Sequence, residues 1–171
     1  LTPSNRLRPL WLPAAALLHL ALAIASLMTP GPARDSGAWL ALDALGKLVL
    51  LTASLLAAAA SVSAVDYLRH LTVRSNRLFC VSFLAFLGLM SLVAAARHLG
   101  LVWVAIEGTT LATAPLIYFD RTPRSLEATW KYLIVCSVGI ALGLLGTFFL
   151  AYSALHGGQE PTLALDGLIR K

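Results

Sequence analysis

Residues 99–119, LGLVWVAIEGTTLATAPLIYF, run for 21 positions with a single charged side chain, Glu107. A helix needs about 20 mostly apolar residues to cross the ~30 Å of hydrocarbon in a bilayer, so this stretch reads as a transmembrane helix. Further apolar runs surround it, at about 10–28, 40–65, 78–96 and 128–152. Backbone polar groups in lipid must bond within their own segment or within a closed barrel. These runs are too long and too continuous for the alternating ~10-residue strands of a barrel. The expected fold is therefore all-α: an integral membrane bundle of about five transmembrane helices, forming one membrane domain over residues 1–171.

Composition agrees. Hydrophobic residues make up 58% of the chain and charged residues 12%, against about 25% charged in a soluble domain, and the mean hydropathy is +0.81. The net charge of +5 does not point to nucleic acid, because the 13 Lys and Arg sit mostly between apolar runs and do not gather with aromatics. Membrane topology accounts for them, and the partner they imply is the lipid bilayer. Cys80 and Cys136 lie far apart, each inside an apolar run, which gives no support to a disulfide framework, a zinc site or an iron–sulfur cluster. No cofactor or metal is expected from the residues.

The breaks between runs are chemically apt. Thr29-Pro30-Gly31-Pro32 follows the first, residues 69–77 with three arginines follow the second, and Asp120-Arg121-Thr122-Pro123 follows the fourth. Only Arg97-His98 separates the third from the fourth, which predicts a tight helical hairpin. Counting by side, Arg6, Arg8, Arg69, Arg74, Arg77, Arg121 and Arg124 share the face of the amino end, and Arg34 and Arg97 the other. Arg170 and Lys171 are in a tail that weighs less. By the positive-inside rule the amino end is cytoplasmic, in a cell inner (plasma) membrane. The first run, at roughly 19 residues, exceeds a signal peptide's h-region of about 7–15. A leading Leu1 and a polar finish at Ile169-Arg170-Lys171 suggest a piece of a longer chain, although an alternative start codon would also give Leu1.

Glu107 is the residue that apolar patterning does not explain. A carboxylate at mid-bilayer costs at least ~2.5 kcal/mol even on insertion scales, so such residues face a polar interior or handle ions. The functional reading is a proton site whose occupancy a nearby positive charge can switch. The plain structural reading is a carboxylate tying two helices together. Thr110 and Thr113 follow at one-turn intervals; their hydroxyls either help hold water or bond back to the helix. Pro115 removes one intrahelical bond and should bend the helix.

Glu127 and Lys131, four apart near the start of the fifth run, have the favourable order for a helical ion pair, with Ser125 as a candidate cap. Lys131 is either a second proton carrier or a lysine snorkelling to the interface. At ~1.5 Å per residue Glu107 lies roughly 18 Å from that membrane face, too deep for the two to touch directly. Asp43 and Lys47 make another four-residue pair, which anchors a helix end or lines a polar path. His19, in mid-run, either relays protons or bonds a neighbouring helix. His70, His98 and His156 stand at helix ends without metal-ligand spacing. Gly139, Gly143 and Gly146 share one side of the fifth run, a small-residue surface for close helix packing. No phosphate-binding glycine motif and no Ser/His/Asp or Cys/His set is present, so no catalytic residue is expected.

Residues 104–114, VAIEGTTLATA, and 125–141, SLEATWKYLIVCSVGIA, resemble the hydrogenase-4 component F family of antiporter-like membrane subunits, a group shared with complex I and Mrp cation/proton antiporters. Residues 41–45, ALDAL, and 67–70, YLRH, are similar to the two ends of an early helix in that family, so the resemblance spans most of 38–155. It implies that the chain is part of a larger antiporter-like fold, its five runs being helices two to six. It also implies that Glu107 matches a glutamate of the family's proton channel and Lys131 a lysine on the following helix. Asp120 and Gly108 depart from the family pattern. The function implied is a proton-translocating, non-redox subunit of a membrane-bound hydrogenase or a complex I-like NADH:quinone oxidoreductase. The rival is a small structural or assembly membrane protein without transport activity. A third, a membrane enzyme acting on quinone or lipid, lacks a catalytic constellation.

Overall fold

The computed structural model describes residues 8–30, 39–70 and 76–156. Arg6, Arg34, Arg74, Arg170 and Lys171, and with them part of the charge count, lie outside the described residues, as do Gly31-Pro32 and the side chains of Arg8 and His70. The described chain is helical: α1 Trp11–Met28, α2 Ala44–His70, α3 Arg77–Ala95, α4 Leu99–Ile117 and α5 Pro123–His156, with single 3-10 turns at Arg8–Leu10 and Tyr118–Asp120. All five α-helices are long and apolar enough to span a membrane, so the protein is multi-pass. Each packs chiefly on its neighbours in the chain, and α1 also touches α3.

Lipid tails are as apolar as leucine, so leucine burial does not drive helices together in a bilayer; close packing of small residues does. The chain follows that rule. On α2 the buried positions beyond Gly46 are Lys47, Leu50, Ser54, Ala57, Ser61, Ala64 and Leu68, a seven-residue repeat of the kind that keeps one seam facing a partner. Opposite it α1 buries Leu12, Ala16 and Ala23. Leu48, Leu55, Leu56 and Val62 of α2 point outward instead. At the end of the bundle where α1 begins, Phe79 meets Phe119 edge-on with ring centroids 5.5 Å apart. They join Leu12, Leu68, Phe83 and Leu87 in one apolar cluster.

At the opposite end the second apolar run does not become helical at residue 40. Leu40 pairs as an antiparallel bridge with Ala96. Ala41 N–H donates to the Ala95 carbonyl at 2.7 Å, and Arg97 N–H to the Trp39 carbonyl at 2.9 Å. These bonds satisfy backbone groups that would otherwise be orphaned at two helix ends. Asp43 caps α2, its Oδ1 accepting from Gly46 N–H at 2.7 Å. The tight α3–α4 hairpin is present, with His98 capping α4 through Gly100 N–H at 3.2 Å while stacking on Trp39.

The fifth helix starts at Pro123, earlier than the apolar run suggested. Proline suits the first helical position, and Thr122, not Ser125, is the N-cap. Ser125 N–H donates to Thr122 Oγ1 at 3.0 Å and Thr122 N–H to Ser125 Oγ at 2.9 Å, the reciprocal arrangement of a capping box. Just ahead, Arg121 takes a left-handed conformation at φ 50° to turn the chain.

Candidate functional site

α4 and α5 run antiparallel and meet along a seam with three polar contacts. Trp103 Nε1 donates to the Ile140 carbonyl at 3.1 Å. One turn further along α4, the Glu107 carboxylate accepts a long 3.3 Å bond from Ser137 Oγ. Two turns beyond, Thr113 Oγ1 and Tyr132 Oη lie 2.7 Å apart. Residues 103, 107 and 113 fall on one side of α4, and residues 140, 137 and 132 descend α5 in matching order, as antiparallel neighbours must. Thr113 is further bonded to the Thr109 and Thr110 carbonyls at 3.1 and 3.0 Å. That leaves the Tyr132 hydroxyl as the natural donor to Thr113.

Glu107 is half-buried, eight residues into a 19-residue helix. Among the described residues no cation pairs with it. Next to it an apolar groove of about 320 Å³ runs between the helices, lined by Trp103, Ile106, Gly139, Ile140 and Gly143 among others. Gly139, Gly143 and Gly146 were expected to seat a helix, yet an added Cβ at any of them would meet nothing within 4 Å. Small residues on a helix are a packing device only where another element arrives, and among the described residues none does. Close approach occurs elsewhere: a Cβ on Gly108 would stand 2.8 Å from a Leu89 methyl, and one on Gly46 2.4 Å from the Ala94 carbonyl oxygen.

Lys131 is not brought to Glu107. Its ammonium bonds Glu127 in the favourable i, i+4 order, with both side chains well exposed at 73% and 64%. Lys131 lies six residues from Ser137, so it stands about 9 Å along the axis from the level of Glu107. Thr110 is buried and bonds back to the Ile106 carbonyl at 3.4 Å, the simpler of its two expected states. Asp43 and Lys47 part company. Arg97 Nη1 stands 3.9 Å from Asp43, while the buried Lys47 Nζ donates to the Thr29 carbonyl at 2.6 Å, placing a cation at the C-terminal end of α1 where the helix dipole favours it. His19 sits between Ser54 of α2 and Ser91 of α3.

Trp103, Ser137 and Tyr132 were not among the residues that sequence reasoning singled out. Nothing in the sequence pairs residue 107 with residue 137, because that pairing depends on the register of two helices. The seven-residue spacing of Lys47, Ser54 and Ser61, all buried in the α2 seam, is a sequence signal that sequence reasoning did not use. No group of three or more metal-ligating side chains occurs among the described residues.

No family model matches the chain. Curated relatives do. The chain is 45% identical over 85 residues to a hydrogenase-4 component F homolog of Methylacidiphilum infernorum, a match covering 50% of this chain and 18% of that protein. It is 34% identical over 129 residues to F(420)H(2) dehydrogenase subunit N of Methanosarcina mazei, covering 73% and 25%. It is 27% identical over 159 residues to NAD(P)H-quinone oxidoreductase subunit 2 of Trichodesmium erythraeum, covering 91% and 30%. The chain thus spans less than a third of the length of each of these relatives. These matches make it a homologue, over part of their length, of the antiporter-like membrane subunits of hydrogenase and complex I-type enzymes.

Proposed function

We propose that this chain is part of a proton-translocating subunit of a membrane-bound hydrogenase or a complex I-like NADH:quinone oxidoreductase, with Glu107 as a proton carrier and Lys131 as the cation that modulates it. The observation that carries this reading is a mid-helix carboxylate that, among the described residues, has one long hydroxyl bond and no cation beside it. A carboxylate kept ionised for structure alone would be matched with a firm partner, since unpaired charge in hydrocarbon is costly. A carboxyl that gains and loses a proton must tolerate both forms, and one serine hydroxyl can donate to the anion or accept from the acid.

Lys131 fits the second role by its separation. At about 9 Å along the axis it is too far to lock Glu107 into a permanent ion pair. It is near enough for its charge, in a low-dielectric slab, to bias whether Glu107 holds a proton. Movement of Lys131 away from Glu127 would change that bias. Asp43 and Lys47 serve as end anchors in this reading, with the amino end of the chain cytoplasmic in a cell inner membrane. The other membrane subunits of the assembly complete the path.

The test is Glu107→Gln in the full-length subunit assembled in its complex, with redox turnover and proton movement measured together. Loss of proton movement per turnover supports the assignment, and unchanged pumping at normal turnover defeats it. A second reading, Glu107 as an interhelical tie in a structural subunit, is favoured by the Ser137 contact itself. It predicts that Glu107→Gln lowers thermal stability and leaves proton movement intact.

A further inference from the structure

His19 lies near the middle of α1, and its two ring nitrogens meet two other helices. Nδ1 is 2.8 Å from Ser54 Oγ of α2, and Nε2 is 2.6 Å from Ser91 Oγ of α3. Both serines have a second commitment. Ser54 Oγ lies 2.6 Å from the Leu50 carbonyl and Ser91 Oγ 2.9 Å from the Leu87 carbonyl, each in donor geometry.

Hydrogen counting makes this arrangement informative. A serine hydroxyl has one proton and can accept as well as donate. If both serine protons go to the helix carbonyls, both serine oxygens are acceptors towards the ring, and only an imidazolium has an N–H for each. A neutral ring has one N–H and one bare nitrogen. One serine must then turn its proton from its carbonyl to that bare nitrogen. Both states are fully hydrogen-bonded, and they differ by one proton on the ring and one rotated hydroxyl.

We propose that His19, Ser54 and Ser91 form a proton-binding site at the junction of α1, α2 and α3, separate from the α4–α5 seam, in which uptake of one proton by the ring turns a serine hydroxyl back onto its own helix. The proton enters at the ring nitrogen that had been bare, and the junction gains one positive charge. Because the released hydroxyl returns to the Leu50 or Leu87 carbonyl, the charge state of α1 is written into the bonding of α2 or α3.

The surroundings leave room for that charge. α1 carries no other ionisable group. On α2 the nearest is Lys47, seven residues and about 10 Å from Ser54, with its ammonium already on the Thr29 carbonyl; being of like charge, it weakens proton uptake without blocking it. Asp66, Tyr67 and Arg69 stand at the far end of α2, and Arg77 and Cys80 at the far end of α3. Arg97 and Asp43 lie beyond the near end, at the bridge between Leu40 and Ala96. None of these supplies a fixed counter-charge to the ring, so the two serine oxygens are its stabilising partners.

The experiment is nitrogen-15 magnetic resonance on the full chain, labelled at histidine, in lipid bilayers, with His19→Gln identifying the signals among the four histidines. As the pH is lowered from about 8 to about 4 the bare-nitrogen signal of His19 should give way to a second protonated nitrogen. At about pH 6, Ser54→Ala and Ser91→Ala should each cut the imidazolium-to-imidazole ratio about tenfold, as expected for one lost hydrogen bond to a charged group. A His19 signal that keeps one bare nitrogen across the whole range overturns the proposal, as does a titration in which both serine variants match the wild type. The wild-type spectrum alone decides if one variant fails to fold. The outcome is independent of Glu107, since the readout is the ring itself and not proton transport.

Discussion

The indole Nε1 of Trp103 donates to the Ile140 carbonyl across the α4–α5 seam at 3.1 Å, setting the register that places Glu107 opposite Ser137. A backbone carbonyl inside a helix has a lone pair to spare, so the bond links the helices without breaking either. Trp103→Phe should keep the ring's bulk and lose this bond, lowering stability by about 0.6–1.7 kcal/mol. Thermal unfolding in detergent checks it.

The Thr113–Tyr132 bond is the other end of the same seam. Tyr132→Phe should cost about 0.6–1.7 kcal/mol. If both bonds set one register, the double variant with Trp103→Phe will depart from additivity, which a double-mutant cycle on unfolding midpoints measures.

Lys47 should matter more than a typical membrane-edge lysine. It is only 9% exposed, and its ammonium ties the end of α1 to the start of α2. Lys47→Met, which keeps length but removes the donor, should lose about 1.5–3 kcal/mol, the range for hydrogen bonds to charged groups. Lys47→Arg should recover part of that loss. Equal unfolding midpoints for wild type and Lys47→Met would show that the anchor contributes nothing.

Glycines on two helices should respond oppositely to alanine. At Gly46 the new Cβ would meet the Ala94 carbonyl oxygen at 2.4 Å, a backbone atom that cannot rotate aside. Gly46→Ala should therefore cost about 1–3 kcal/mol by overpacking. At Gly143 the space is open, and Gly143→Ala should be neutral or stabilising by up to about 1 kcal/mol through helix propensity. A marked loss at Gly143→Ala, measured by unfolding in the assembled complex, would reveal a helix seated on that face from outside the described residues.

The number of helices among the described residues was legible because a bilayer imposes a ~30 Å apolar requirement that each run meets by itself. Glu107 was legible for the same reason, as a carboxylate that hydrocarbon tolerates only for cause. Helix starts at residues 44 and 123 were less so, since capping by Asp43 and by Thr122 with Pro123 outweighs the hydropathy of the flanks. The separation of Lys47 from Asp43 was not legible at all. Four-residue spacing allows a pair, but the carbonyl of Thr29, 18 positions away, offered Lys47 a better partner.

By itself, then, the sequence determined that this is a helical membrane protein with one carboxyl group midway along an apolar helix, because those properties follow from the solvent that each segment can tolerate. Only the tertiary structure decided that Ser137 faces Glu107, that Lys47 turns to the Thr29 carbonyl, and that His19 joins Ser54 to Ser91. Those partners depend on helix register and rotation, which are set by small-residue seams packing at close range and leave no mark within any one segment.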